Sequence, residues 1–387
     1  MKNSVVALLL TFLTLIFFFS CSSVKIKDRI EVNADDWLQR GGNPQNTNQN
    51  LFTSISSQNI RQIWTFNADA GFPKTAMIAA DAILFTSTLR GDMYAVDIST
   101  GKNLGKFGKI GGAPNCPAYS SSEIILTFDG DPESSILSYN LKTGSENWRK
   151  NLGMIRTSPV IDSEFVYVSS TGSATYKLNL TTGELVWQFE NTASDSLGLK
   201  PFFSSPVVNG NNVIVCNVNG FIYCLNKQTG KINWSYKTNA PVYSDPSIYN
   251  NKLFVCSDDK NIYCMNLDGS LLWKKDLNTT FISSCSFYGN NVIVSGVDGV
   301  IHSLDVNSGN ENWQFKTAGT INGSPLVVND KILISSLDRN FYILNTNDGS
   351  KFWEMSFESR LKASPLVWKN FLFIACENKE IYCFKYE

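Results

Sequence analysis

One histidine, His302, serves the whole 387-residue sequence. A lone imidazole cannot build a multi-histidine metal site. Any Ser-His-Asp triad would depend on it, and no Gly-x-Ser-x-Gly elbow is present. His302 falls in a strand-like stretch, where it suits a wall position. Cysteine is not scarce, at nine residues, but it never occurs as Cys-x-x-Cys or Cys-x-x-Cys-His. The usual redox and haem-attachment signatures are therefore missing. Charge is sparse and balanced, with 33 Lys+Arg against 34 Asp+Glu. No basic run concentrates positive charge, which argues against nucleic acid as the main partner. Glycine belongs to turns rather than to a phosphate loop ahead of a helix. Beyond Cys21 no stretch sustains a helical period, so the remaining option is β structure.

What the sequence does have is repetition. "LNLTTGELVW", "LNKQTGKINW", "LDVNSGNENW" and "LNTNDGSKFW" share one turn and end at Trp187, Trp234, Trp313 and Trp353. Trp148 and Trp273 join the series, Gly105 holds the same slot in a degenerate copy, and "QIWTF" supplies Trp64. The period is roughly 40 residues, within the range of propeller blades. Within one copy, "PVV", "VIVCN", "FIYCLN" and "INWSYK" read as four short strands separated by Gly/Asn turns. A lone four-stranded sheet cannot bury both faces, so the copies must stack around an axis. The tryptophans, each with a large apolar ring and an N–H needing a partner, are expected to wedge between blades. The last copy ends after three strands, whereas the first contributes only a fourth. The expected fold is all-β: an eight-bladed β-propeller of four-stranded antiparallel blades, closed by the N-terminal strand joining the C-terminal blade. Two longer stretches, 128–135 and 191–203, are expected at the rims, where binding surfaces lie.

The cysteines fit the repeat. Cys216/Cys224, Cys256/Cys264 and Cys376/Cys383 sit one on each arm of a hairpin. Other copies hold Ser87, Ser169, Ser295 or Ser335 in the first slot, and Ala95, Ser138, Ser303 or Lys177 in the second. Small buried fillers are the leading reading, a cross-strand disulfide the second. "CSDDKN" offers two adjacent carboxylates for calcium, but it stands where a tight turn is expected.

Ahead of the repeats, "VVALLLTFLTLIFFF" (5–19) is too short to span a bilayer and suits a signal-peptide core. It ends at "SCSS". A small residue before Cys21 resembles a bacterial lipoprotein processing site, which would leave Cys21 first and acylated. A plain secretory signal and an uncleaved anchor are the alternatives. The division is then 1–20 signal peptide, 21–60 lipidated linker and leader, and 61–387 propeller.

"AVDISTGKNLG", "KLNLTTGELVW", "CLNKQTGKINW" and "SLDVNSGNENW" resemble the tryptophan-docking repeat of the pyrroloquinoline-quinone propeller superfamily, over 62–387. "DDWLQRGGNPQNTN" (35–48) looks like its leader, in which Trp37 and Arg40 help to cover one mouth of the ring or simply form a linker. One class of the superfamily is the quinone dehydrogenases, which carry adjacent cysteines and calcium-binding carboxylates; no adjacent cysteines occur here. The chain is most similar to the other class, the BamB-like lipoproteins of outer-membrane β-barrel assembly. That resemblance implies a non-catalytic scaffold without cofactor or metal. It would be lipid-anchored to the outer membrane, facing the periplasm, and monomeric within a complex. The implied partner is the barrel-assembly core subunit. The family's docking loop corresponds to "NLGMIRTSP", giving Met154, Ile155 and Arg156; "KPFFSSP" adds Phe202 and Phe203 where the family has an acidic pair. A generic envelope propeller binding another protein or a glycan is the competing reading.

Overall fold

The structure, a computed structural model, describes residues 24–26, 31–108, 115–131, 134–191 and 201–387. Cys21, the signal segment and most of the 191–203 insertion lie outside the described residues.

Seven blades are built from consecutive chain: 77–107, 118–150, 160–190, 207–237, 247–276, 286–316 and 326–356. The eighth takes three strands from 366–385 and its fourth from Arg61–Asn67. Arg61–Asn67 runs antiparallel to Glu380–Lys385, with Trp64 opposite Cys383 and Phe66 opposite Ile381. The ring is thus closed by main-chain hydrogen bonds between the two ends of the propeller, and neither edge is left open.

Each blade forms for local reasons. The third-to-fourth strand turn is organised by an Asn or Asp that accepts from the backbone two and three residues on. Asn226 Oδ1, for example, takes the N–H groups of Gln228 and Thr229. The fourth strand then carries a one-residue bulge immediately before its tryptophan. In blade 4, Trp234 pairs with Cys224 but Ile232 already pairs with Leu225. Gly105 takes the same place opposite Ala95 in blade 1.

The bulge turns the indole onto the next blade. Trp64, Trp148, Trp187, Trp234, Trp273 and Trp313 donate Nε1–H to the carbonyls of Ile98, Leu180, Lys227, Leu267, Val306 and Thr346, at 2.8–3.1 Å. Each ring lies under a turn glycine of that next blade. At Gly269, φ is +91°, and a Cβ would stand 2.7 Å from the Trp234 ring. Trp353 has no such turn to meet, because the third and fourth strands of blade 8 come from different parts of the chain; it packs edge-on against Phe341. Of these seven, Trp148 and Trp187 are buried and the other five are partly exposed. A second aromatic two residues on repeats the contact. Phe66, Phe189, Tyr236 and Phe315 meet Tyr94, Tyr223, Tyr263 and Tyr342 of the following blade, with centroids 5.3–5.8 Å apart. Where Gly105 leaves no indole, Phe107 against Tyr139 (4.6 Å) holds blades 1 and 2 together.

The cysteines are buried free thiols, eight among the described residues. Register explains why hairpin partners do not bond: Cys216 faces Ile222, and Cys224 faces Ile214. Burial pushes the Cys224 thiol up to about 11, and Cys116, Cys264 and Cys376 to about 12. His302 is a wall residue bonded through Nδ1 to Glu311 (2.6 Å). Asp259 of "CSDDKN" accepts from the Asn261 and Asn239 N–H groups, as a turn residue does.

Two outcomes are expected. Trp234→Ala should cost about 2–4 kcal/mol in denaturant unfolding. Gly269→Ala, which is costly in the parent, should cost much less in the Trp234→Ala background, because the clash disappears and only the backbone strain of about 1–2 kcal/mol remains. Strict additivity in that cycle would show that the pair does not touch. Separately, the eight thiols should resist alkylation near neutral pH in the native protein and all react in denaturant; fast labelling of any one in the native state would contradict its burial.

Candidate functional site

The first strand of every blade lines the axis and runs from one mouth of the ring to the other. At one mouth the leader closes the hole. Trp37 bridges to Ala79 of blade 1, and the Leu38 carbonyl accepts from Tyr119 of blade 2 (2.8 Å). The Gln39 amide clasps both the N–H and the carbonyl of Ile161 in blade 3 (2.9 and 3.2 Å). The carbonyls of Pro44 and Gln45 accept from Val208 in blade 4 and Ile248 in blade 5 (both 2.9 Å). Asn48 Nδ2 donates to the Cys285 carbonyl of blade 6 (2.9 Å), and Gln49–Asn50 pairs in parallel with Val327 and Val328 of blade 7. Asn50 Nδ2 reaches Val367 of blade 8 (3.4 Å). Fourteen residues thus visit eight blades in order, satisfying backbone groups that a bare inner edge would leave unpaired. Asn46 and Asn48 take positive φ, 56° and 49°, to make the circuit.

A polar ring surrounds the axis beneath the leader. Ser158 N–H donates to Ser205 Oγ, Ser205 N–H to Asp245 Oδ1, Ser284 N–H to Ser324 Oγ, and Ser324 N–H to Ser364 Oγ. Five of these equivalent positions are serine and one is Asp245. That carboxylate receives the guanidinium of Arg40, buried like itself. Burial lowers the Arg40 pKa, and Asp245 opposes the fall. An unpaired charge here would be costly, so the pair sets the leader's register.

The opposite mouth stays open as a funnel of about 800 Å³. Its wall is drawn largely from one repeat position, three residues ahead of the first-strand proline or its equivalent: Lys74, Arg156, Phe203, Tyr243, Ile282 and Lys362. Blades 8, 1 and 3 bring cations, whereas blades 4, 5 and 6 bring apolar or aromatic groups. Arg156 Nε donates to Asp129 Oδ2 (2.5 Å) and its guanidinium lies over the Phe203 ring, 5.8 Å from the centroid. Phe203 and Tyr243 follow at 6.0 Å. Deeper in, Lys74 Nζ donates to the Ile282 carbonyl (3.0 Å); burial lowers its pKa, with Asp245 opposing.

Of the five residues suggested for a docking surface, Arg156 and Phe203 meet at this mouth, and Met154 is 56% exposed nearby. Ile155 and Phe202 do not join them: both are 0% exposed, packed into the cores of blades 3 and 4, and so present nothing to a partner. Lys74, Tyr243, Ile282 and Lys362 were missed, although they share the phase of Arg156 in the repeat.

The sequence profile of a family described as outer membrane protein assembly factor BamB matches residues 105–205 and 178–386. The chain belongs to this family. Among solved structures, BamB from Moraxella catarrhalis superposes with a TM-score of 0.67 at 14% identity, over 84% of this chain and 100% of that one. A europium-containing methanol dehydrogenase gives 0.79 at 12% identity, over 90% and 98%. The quinohemoprotein alcohol dehydrogenase ADHIIG from Pseudomonas putida HK5 gives 0.76 at 13%, over 91% and 80%. These likenesses carry the fold alone. Comparison with curated proteins yields no match.

The superfamily resemblance of the repeats raises the question of a quinone held by calcium. Such an ion takes six to eight oxygen ligands. Among the described residues this funnel offers one carboxylate, Asp129, already tied to Arg156 and sharing the mouth with Lys74 and Lys362. Among the described residues no group of three or more His, Cys, Asp or Glu could hold a metal. The residues present do not fit that group.

Asp245→Asn should destabilise the protein by about 3–5 kcal/mol, because Arg40 is left charged and buried. Pairing Asp245→Ser, the residue of five other blades, with Arg40→Leu should restore most of the loss in urea unfolding. A neutral Asp245→Asn would show that the pair does not hold the leader.

Proposed function

We propose that this BamB-family chain is a non-catalytic, lipid-anchored scaffold of the cell envelope that assists assembly or insertion of outer-membrane β-barrel proteins. It works by protein–protein contact at the open mouth of the ring. The observation that carries the reading is the Arg156 guanidinium, 54% exposed, seated between Asp129 and the face of Phe203. An arginine beside half-buried aromatic rings is the composition of an interface anchor. The blades on either side hold it in place, so little ordering is needed when a partner binds. The cationic half of the mouth suits acidic side chains, and the half formed by Phe203, Tyr243 and Ile282 suits apolar ones. The barrel-assembly core subunit is the proposed partner, and the periplasm the proposed side. Among the described residues no helix is long and apolar enough to cross a membrane, so attachment through an acylated Cys21 is proposed with it.

The rings of Phe203 and Tyr243, 6.0 Å apart, also support a second reading, in which sugar rings stack on the mouth of a glycan-binding propeller.

Affinity purification from detergent-solubilised envelopes should recover a barrel-assembly subunit. Arg156→Glu should weaken that association by about 2 kcal/mol, roughly thirtyfold, without altering the melting temperature. Recovery of no such subunit, together with binding on a glycan array, would replace the first reading by the second.

A further inference from the structure

We propose that Leu51 and Phe52 form a second membrane contact, entering the lipid surface beside the acyl chains of Cys21 and so deciding which face of the disc meets the membrane. The inference rests on the lipid-anchored reading above and adds to it a defined orientation.

Leu51 is 51% exposed and Phe52 68%, an adjacent apolar pair open to solvent among the described residues. The pair is presented by fixed backbone. Before it, Asn50 pairs with Val328, and Asn50 Oδ1 accepts the Phe52 N–H (3.0 Å). After it, the Thr53 carbonyl accepts from Asn329 Nδ2 (2.5 Å), and the Thr53 and Tyr386 hydroxyls meet at 3.2 Å. Tyr386 in turn donates to the Lys369 carbonyl (2.7 Å). Asn329 and Lys369 lie in the first-to-second strand turns of blades 7 and 8, so the dipeptide stands on the turn face that the leader closes, opposite the funnel.

The first described residues after the proposed anchor, 24–26, lie on that same face. Val24 is buried against blade 2, with its carbonyl accepting from the Tyr139 hydroxyl (3.0 Å), and Ile26 N–H donates to the Leu141 carbonyl (2.8 Å). Leu141 is bonded to Ser122, in the corresponding turn of blade 2. Cys21 stands three residues before Val24, which allows at most about 10 Å of extended chain. Acyl chains at blade 2 would leave the disc free to pivot. A second apolar contact at blades 7 and 8, elsewhere on the same face, removes that freedom. Burying such side chains at the headgroup boundary is favourable in proportion to their apolar area. Exposed Lys369, on the adjoining turn, supplies a cation for lipid phosphates. Two other exposed apolar pairs, Leu185–Val186 and Leu271–Leu272, and the single Ile232 lie on fourth strands at the outer wall rather than on the turn face beside the leader. With the turn face on the membrane, the funnel opens away from it.

Hydroxyl-radical footprinting tests this. The mature lipidated protein is placed on vesicles of phosphatidylethanolamine and phosphatidylglycerol, and the Cys21→Ser protein in buffer is the reference. Oxidation of Leu51 and Phe52 and amine labelling of Lys369 should be lost on vesicles, while Met154 at the funnel mouth is unchanged. In the Leu51→Ser/Phe52→Ser variant, which leaves the hydrophobic cores untouched, Lys369 labelling should return although the protein stays vesicle-bound. Phe52 oxidised as fully on vesicles as in buffer, or Met154 protected in its place, would overturn the proposal and leave the anchor standing. Mass analysis showing an unmodified Cys21, with protein not retained by vesicles, would remove both.

Discussion

An indole N–H in one blade, bonded to a turn carbonyl in the next, is the contact on which this molecule depends. A four-stranded sheet of some thirty residues has two apolar faces and cannot bury them alone. Six of the tryptophans solve this for their own blades because another blade follows with a turn whose glycine lets the ring approach. The requirement passes around the ring and ends only when the first blade is also the last. Closure through Arg61–Asn67 is therefore what completes the ring of eight interfaces, four of which are reinforced by an aromatic two residues beyond the tryptophan, at Phe66, Phe189, Tyr236 and Phe315.

Repetition makes the ring nearly symmetric, and function needs the symmetry broken. Two devices break it. The leader crosses one mouth and gives the axis a floor, held in register by a single departure from the polar ring, Asp245 where its neighbours have serine. At the other mouth one repeat position varies without constraint from packing, so that Lys74, Arg156 and Lys362 oppose Phe203, Tyr243 and Ile282. The blades supply rigidity to both ends, and the chemistry lies in residues the fold does not require.

The same architecture supports the BamB reading and the superposition on quinone enzymes, which is why fold alone does not choose between them. At this mouth the side chains divide into a cationic half and an aromatic or apolar half, with Asp129 the one carboxylate among the described residues of its wall. A ring with one end closed and the other lined in this way is suited to holding a partner on one side only.

Much of this was legible in the sequence. Trp148 to Trp353 in phase, the Gly/Asn turns and the unequal first and last copies specify eight closed blades, because strand periodicity and turn chemistry are local and each copy repeats the message. The cysteine slots were equally readable, since serine and alanine replace cysteine where only a small side chain fits. What lay beyond reach depended on depth and distance. Nothing in "MIR" or "FF" tells Ile155 and Phe202, which turn into the core, from Arg156 and Phe203, which turn to the mouth. That Asp245 waits for Arg40, two hundred residues away, and that a linker-like leader touches all eight blades, only the closed ring decides, because those contacts form across an axis that does not exist until the last strand is in place.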